Sequence, residues 1–145
     1  EINPPIVRAG EVLTVKTKAL IKTGFHIFAT NKHSVGPVAS KVTIKPDNLI
    51  DAVGKTLEPA PLSKHDEGFH VDVHFHEGTT VFETPVKLIP ALNPGEYSLI
   101  VELLHQACDP HICFPPKTEK ITVDGKISSD GYMIPMIKIT IVKID

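Results

Sequence analysis

The two cysteines, Cys108 and Cys113, are the most reactive side chains of the sequence, and four residues separate them. An Asp-Pro pair between them favours a turn, so their Cα atoms can approach to the ~4.4–6.8 Å that a disulfide requires. Two imidazoles, His105 and His111, belong to the same segment. Three kinds of chemistry are open to this combination: a structural disulfide, a metal site and a redox-active thiol pair.

The spacing weighs differently on the three interpretations. A disulfide that closes a loop of about six residues stabilises a fold by roughly 2 kcal/mol, against nearly 5 kcal/mol for a loop of about 100 residues, so this pair is a poor staple. A zinc or copper site would use four nitrogen and sulfur ligands, namely His105, Cys108, His111 and Cys113. However, His105 and Cys108 start on opposite faces of a strand.

The redox interpretation needs one thiolate that attacks a partner disulfide and a second thiol that resolves the mixed disulfide. The two cysteines meet this need in a small loop. Protonated His105 and His111 would lower the pKa of a thiol, whereas Asp109 would raise it. These three residues are therefore candidates to modulate the pair.

Alternation of apolar and polar residues predicts the strands that must position this segment. It is present in 11–22, 25–29, 38–45, 69–76, 80–89, 96–107, 118–123 and 132–144. Thirteen prolines argue against a helix-rich fold. We therefore predict one all-β domain over residues 1–145, an Ig-like antiparallel β-sandwich. The cysteines follow the strand 96–107.

Three segments complete the predicted topology. Residues 46–68 are expected to be loop-like, with a short helical turn or an edge strand near 49–53. An Asp-Gly turn at 124–125 is expected to end the strand 118–123. One face of the strand 69–76 carries polar side chains that could bind a metal, but their spacing of ~6.5–7 Å favours a solvated face. These side chains are His70, Asp72, His74 and His76.

Composition excludes several classes of function. The 145 residues carry a formal net charge of -2, which lacks the basic surplus that phosphate contacts require, so we expect no nucleic-acid partner. No apolar run approaches the ~20 residues of a membrane-spanning helix, so we expect no membrane insertion. The first residues do not resemble a signal peptide, and any export signal would already have been removed.

The segment from His105 to Pro116 resembles the Gln-x-Cys…Cys-x-Pro-Pro motif of the N-terminal periplasmic domain of DsbD, the thiol:disulfide interchange protein. The segment 24–28 is similar to a Gly-Trp-His-Ile-Tyr strand of that family, with Phe25 in place of Trp. The segment 82–86 resembles the strand that precedes Gly-Glu-Tyr. Together these matches cover about residues 10–124.

The resemblance implies an Ig-like redox domain in the periplasm, part of a larger oxidoreductase and active without a cofactor. Cys113 would form the mixed disulfides and Cys108 would resolve them. The electron donor would be a thioredoxin-like domain, and the acceptor a periplasmic disulfide isomerase or a cytochrome c maturation thioredoxin. A loop with acidic residues and an aromatic cap covers the pair in the family, and the nearest candidates are Asp66, Glu67 and Phe69. Phe69 fits equally well as a core residue.

Two other functions stay open on the residues alone. A periplasmic metal-binding module would use the Cys and His side chains of the segment 105–113 as zinc or copper ligands. A passive interaction domain would hold an inert disulfide. Exchange with a thioredoxin-like protein separates the redox interpretation from both.

Overall fold

The computed structural model describes residues 2–3, 7–8, 12–31, 36–45, 47–68, 70–90, 92–127, 132–135 and 140–145. Within these ranges one short 3₁₀ helix, Asp47–Leu49, accompanies the strands. The strands are β1 (Ile2–Asn3), β2 (Val7–Arg8), β3 (Val12–Ile21), β4 (Ile27–Phe28), β5 (Lys41–Lys45), β6 (Ile50–Val53), β7 (Leu62–Asp66), β8 (Val71–His76), β9 (Thr79–Leu88), β10 (Gly95–His105), β11 (Lys117–Ile127), β12 (Tyr132–Pro135) and β13 (Thr140–Ile144).

The strands form two large sheets and one small sheet. The first large sheet has the order β1-β3-β9-β6, with β13 also paired to β3. The second has the order β2-β12-β11-β10-β5. The small sheet, β4-β8-β7, is called the cover sheet below. The long pairs β3–β9 and β10–β11 give each large sheet its centre.

Alternation along the long strands directs one face of each large sheet into a shared core. Leu13 and Val15 of β3 and Phe82 of β9 are fully buried, as are Leu99 and Leu103 of β10. All of them belong to one hydrophobic cluster with members from both sheets. Two sheets packed over one core confirm the predicted all-β, Ig-like sandwich. No helix in the described ranges has the length and apolar character to cross a membrane.

The predicted loop 46–68 contains two strands. The edge strand near 49–53 is confirmed as β6, but the loop prediction was wrong for β7, which pairs with β8 in register from Leu62 opposite Phe75 to Asp66 opposite Val71. Four of its five residues are exposed. Backbone pairing at a sheet edge holds β7 in place, and such a strand leaves no hydrophobic period in the sequence.

The prediction for the last two strands was also wrong in part. β11 continues through the expected turn, because Gly125 pairs with Tyr97 on one side and with Pro135 on the other. The expected single strand 132–144 is two strands in different sheets, and β13 runs parallel to β3. The sandwich is therefore antiparallel in every described pairing except this one.

The face of β8 that was predicted to be solvated is not uniform. His76 is 5% exposed, and its Nε2 lies 2.6 Å from Glu58 Oε1. The same carboxylate accepts a hydrogen bond from the Thr30 backbone N–H. The prediction fails here because the His76 ring packs edge-on against Phe82 of the main core, with 5.8 Å between the ring centroids.

Candidate functional site

Cys108 and Cys113 form a disulfide across a very short hairpin that follows β10, with 2.03 Å between the sulfurs and 4.0 Å between the Cα atoms. The Phe114 N–H donates to Ala107 O and the Asp109 N–H donates to Ile112 O, both at 2.9 Å. The two cysteines therefore lie directly opposite each other as a non-hydrogen-bonded pair of the antiparallel hairpin. In such a pair the Cα atoms are closer together than in a hydrogen-bonded pair. The 4.0 Å between the Cα atoms is below the ~4.4–6.8 Å that the sequence analysis took for a disulfide.

A third piece of backbone adds His26 to this hairpin. The His26 N–H donates to Cys108 O at 2.9 Å, and the Cys108 N–H donates to His26 O at 3.0 Å. Directly opposed residues of antiparallel strands point their side chains to the same face. His26, Cys108 and Cys113 thus form a three-residue row, called the Cys ladder below, with the imidazole at one end and the Cys113 sulfur at the other.

The two sulfurs lie in different environments. Cys108 is 2% exposed and packs in a small cluster with Phe28 and Val73 of the cover sheet. Cys113 is exposed. Its neighbours Ile112 and Phe114 are also exposed, by 54% and 40%. The disulfide therefore has one sulfur inside the protein and one at an apolar surface.

The opposite face of the Cys ladder rests on the sandwich. Phe25 and Ala107 pack with the main core, and the ring of Phe25 lies 5.7 Å from that of Phe114. The disulfide thus lies between the main core on one side and the cover sheet on the other.

His26 is a site residue that the sequence analysis did not single out. It is 8% exposed, and its ring lies 5.3 Å from that of Phe28 and 5.2 Å from that of Phe75. Burial lowers the pKa of His26, and the Lys64 ammonium lowers it further, while two carboxylates act in the opposite direction. A signal was present, because His26 is the polar residue in the apolar run 25–29.

Asp109 shapes the turn of the hairpin. Its Oδ1 accepts hydrogen bonds from the Ile112 and His111 backbone N–H groups, each at 2.7 Å. These two bonds lower the pKa of Asp109, because an N–H that points at a carboxylate favours its charged form. Asp109, which follows Cys108 in the chain, therefore keeps its negative charge.

Gln106 connects the hairpin to a distant segment. Its Oε1 accepts a hydrogen bond from the Val38 N–H at 2.8 Å, and its Nε2 donates to Phe114 O at 3.1 Å. The sequence shows Gln106 in the motif, but it does not reveal the hydrogen bond to Val38, because Val38 is far away in the chain.

The family model of the N-terminal domain of the thiol:disulfide interchange protein DsbD matches residues 4–125. The chain belongs to this family. Among solved structures, it is similar to the reduced N-terminal domain of Neisseria meningitidis DsbD, with 18% identity, a TM-score of 0.47, and coverage of 90% of this chain and 87% of that one. Comparison with curated proteins finds no match.

Family membership assigns thiol-disulfide interchange to this DsbD-type domain. The two histidines of the Cys segment lie apart in the domain. His105 is buried, with Nε2 3.4 Å from Glu119 Oε1. Burial lowers the pKa of His105, and the Glu119 carboxylate opposes that shift. His111 is exposed. Among the described residues no group of three or more His, Cys, Asp or Glu is arranged to hold a metal ion.

The predicted cap residues lie at the tip of the hairpin that joins β7 to β8. Asp66 ends β7 and Glu67 follows in the turn, which closes through a 2.8 Å bond from the His70 N–H to Asp66 O. Phe69 lies outside the described residues. Among the described residues, apolar cover on Cys108 comes from Phe28 and the strand β8. A role of the two acidic residues as a cap stays a prediction.

Proposed function

We propose that this DsbD-type domain carries electrons between thioredoxin-like proteins through Cys113 and Cys108. The observation that supports it is the unequal exposure of the two sulfurs. A partner sulfur can approach Cys113 from solvent, whereas Cys108 is 2% exposed and can be reached only from Cys113. One cysteine therefore exchanges with partners and the other resolves the mixed disulfide.

In the reducing direction, the Cys113 thiolate attacks one sulfur of an oxidised partner. A Cys113–partner bond forms, and the second partner sulfur leaves as a thiolate that takes a proton. Cys108 Sγ then attacks Cys113 Sγ, the domain disulfide forms and the partner departs as a dithiol. Two electrons and two protons pass to the partner. The cysteines supply all the redox chemistry, so the reaction needs no cofactor.

The surface around Cys113 suits a protein partner. Ile112 and Phe114, the chain neighbours of Cys113, expose large apolar side chains, and apolar surface at the centre of a contact excludes water. We propose a periplasmic location within a larger oxidoreductase. The donor is a thioredoxin-like domain, and the acceptor is a periplasmic disulfide isomerase or a cytochrome c maturation thioredoxin. Asp66 and Glu67 would border this contact.

A trapping experiment tests the proposal. Cys108→Ser leaves Cys113 without its resolving thiol, so a thioredoxin-like partner reduced to one active cysteine should accumulate as a mixed disulfide with Cys113. Mass spectrometry of the trapped peptide identifies the sulfur. The matched variant Cys113→Ser should trap at least 100-fold less, because Cys108 is buried.

Two outcomes would overturn the proposal. Equal trapping through Cys108 would show that the exposure of the sulfurs does not assign their roles. A wild-type disulfide that no thioredoxin-like dithiol reduces would be a structural bond, and the domain would then be a passive interaction module.

A further inference from the structure

Resolution of the mixed disulfide requires that Cys108 lose a proton in a place that water scarcely reaches. Only a thiolate attacks efficiently, and an ordinary thiol has a pKa of about 8.5 that rises in apolar surroundings. Cys108 is 2% exposed and lies against the apolar side chains of Phe28 and Val73. A base inside the protein would remove this obstacle.

We propose that His26 is this base and accepts the Cys108 proton during resolution, an inference that rests on the proposed function above. The two residues exchange both backbone hydrogen bonds, so their side chains project from one face with Cβ atoms ~4.5–5.5 Å apart. Both also pack in the same place, since Phe28 and Phe75 line His26 and belong to the cluster around Cys108.

The charges around His26 suit a base more than an acid. Lys64 approaches from β7, Glu77 from the turn after β8 and Asp109 from the Cys hairpin. Burial and Lys64 outweigh the two carboxylates, so the pKa of His26 is lowered and the imidazole is neutral at pH 7. Asp109 is a poorer candidate, because two backbone N–H groups already stabilise its charged form.

The step is balanced as follows. The Cys108 S–H proton moves to a ring nitrogen of His26, the Cys108 sulfur forms its bond to Cys113, and the bond from Cys113 to the partner breaks with its electron pair on the partner sulfur. The imidazolium then releases the proton to solvent, and the partner thiolate takes one up. When electrons flow into the domain, the same steps run in reverse: neutral His26 first takes up a proton from solvent, and the imidazolium so formed protonates the departing Cys108 thiolate.

Stopped-flow reaction with a chromogenic aromatic disulfide, dithiobis-nitrobenzoate, separates the two steps. Attack by Cys113 releases one coloured thiolate at a rate proportional to reagent concentration. Attack by Cys108 releases the second at a rate independent of it. In the wild type the second rate should be nearly constant from pH 7 to about pH 8, because neutral His26 is already the dominant form.

The variant His26→Phe keeps an aromatic ring in the pocket but removes the base. Its second step should be roughly 100-fold slower at pH 7, and its rate should rise about tenfold per pH unit, because it then follows the small thiolate fraction of Cys108. Its first step should be unchanged. His26→Gln serves as a second polar variant, and His65→Gln on the exposed edge strand β7 is the control.

The outcomes distinguish the two proposals. A wild-type first step that is absent would overturn the function of Cys113 itself. A normal first step with an unchanged second rate and a flat pH profile in both His26 variants would overturn only the assignment of His26. Slowing without the change in slope would show that the ring merely positions Cys108, which also contradicts proton transfer.

Discussion

The sandwich and the Cys ladder are built by opposite means. In the sandwich, β10 and β11 pair along eleven consecutive residues, and their inner side chains fill one core. In the ladder, single residue pairs join His26 to Cys108 and Cys108 to Cys113. Extensive strand pairing and burial stabilise the sandwich, whereas the Cys ladder depends on a few contacts with the main core and the cover sheet.

The sandwich therefore provides the stability of the fold, and the Cys ladder holds the reactive sulfurs. A sulfur held in a long ladder at the centre of the core could not meet a partner, and a sulfur on a free loop would have no fixed second sulfur behind it. The short hairpin between the main core and the cover sheet provides both an exposed Cys113 and an enclosed Cys108. Substitutions should therefore affect one region with little effect on the other.

The largest expected effect tests that independence in the sandwich. Leu99→Ala, at a fully buried position of β10, should lower the free energy of unfolding by about 3 kcal/mol. Val73→Ala, in the cover sheet, should lower it by only about 1–2 kcal/mol, since it removes fewer buried carbons. Urea denaturation of the oxidised protein measures both.

The same two variants should rank in the reverse order when the reactivity of Cys108 is measured. In a Cys113→Ser background, Val73→Ala should speed alkylation of the Cys108 thiol, because Val73 packs in its cluster. Leu99→Ala should leave that rate within about twofold. If both variants accelerate alkylation equally, the two regions open together and the comparison fails.

A smaller effect is expected from reducing the disulfide. Because the bond closes a loop of about six residues, reduction should lower the free energy of unfolding by about 2 kcal/mol, with one cooperative transition before and after. Urea curves with and without reductant measure the difference, and a Cys108→Ala/Cys113→Ala variant controls for effects of the reductant. A loss above about 4 kcal/mol would show that the ladder staples the whole fold.

The smallest effect is a pH dependence of stability. The pKa values of His26 and His105 are both lowered by burial, so below about pH 6.5 the unfolded chain binds protons that the folded protein does not. Stability should therefore fall as the pH drops from 7, by at most about 1.4 kcal/mol per pH unit for each imidazole.

Substitution of each buried histidine shows how much it contributes to this pH dependence of stability. His26→Phe and His105→Phe should each flatten the profile. Asp109 acts in a lower window, because its pKa is lowered by hydrogen bonds and its contribution is lost only below about pH 3.8. A profile that stays steep without either buried imidazole would contradict this assignment.

The parts of the fold that bury one face could be predicted from the sequence. Leu13, Val15 and Phe82 alternate with polar residues, and the structure places all three in the core. Alternation could not reveal β7, which is exposed, or the continuation of β11 through Gly125, which depends on its two neighbouring strands. Strand pairing between distant segments leaves little trace in local hydrophobicity.

The candidate site divides in the same way. The pairing of Cys108 with Cys113 was accessible from their spacing, because both lie in one hairpin. His26 and Gln106 were not singled out, since their importance depends on contacts with segments that are distant in sequence. The spacing also left a metal site open, and only the position of His105 beside Glu119 shows where that imidazole points.

The parallel pairing of β13 with β3 has a practical consequence for labelling. β13 ends with Ile144 opposite Ile21, and the Lys22 N–H donates to Ile144 O at 2.8 Å, only a few residues before His26. A fluorophore attached at Asp145 would therefore report from the end of the sandwich that carries the sulfurs. One attached near Asn93, between β9 and β10, would report from the other end, roughly 30 Å away by the length of a strand.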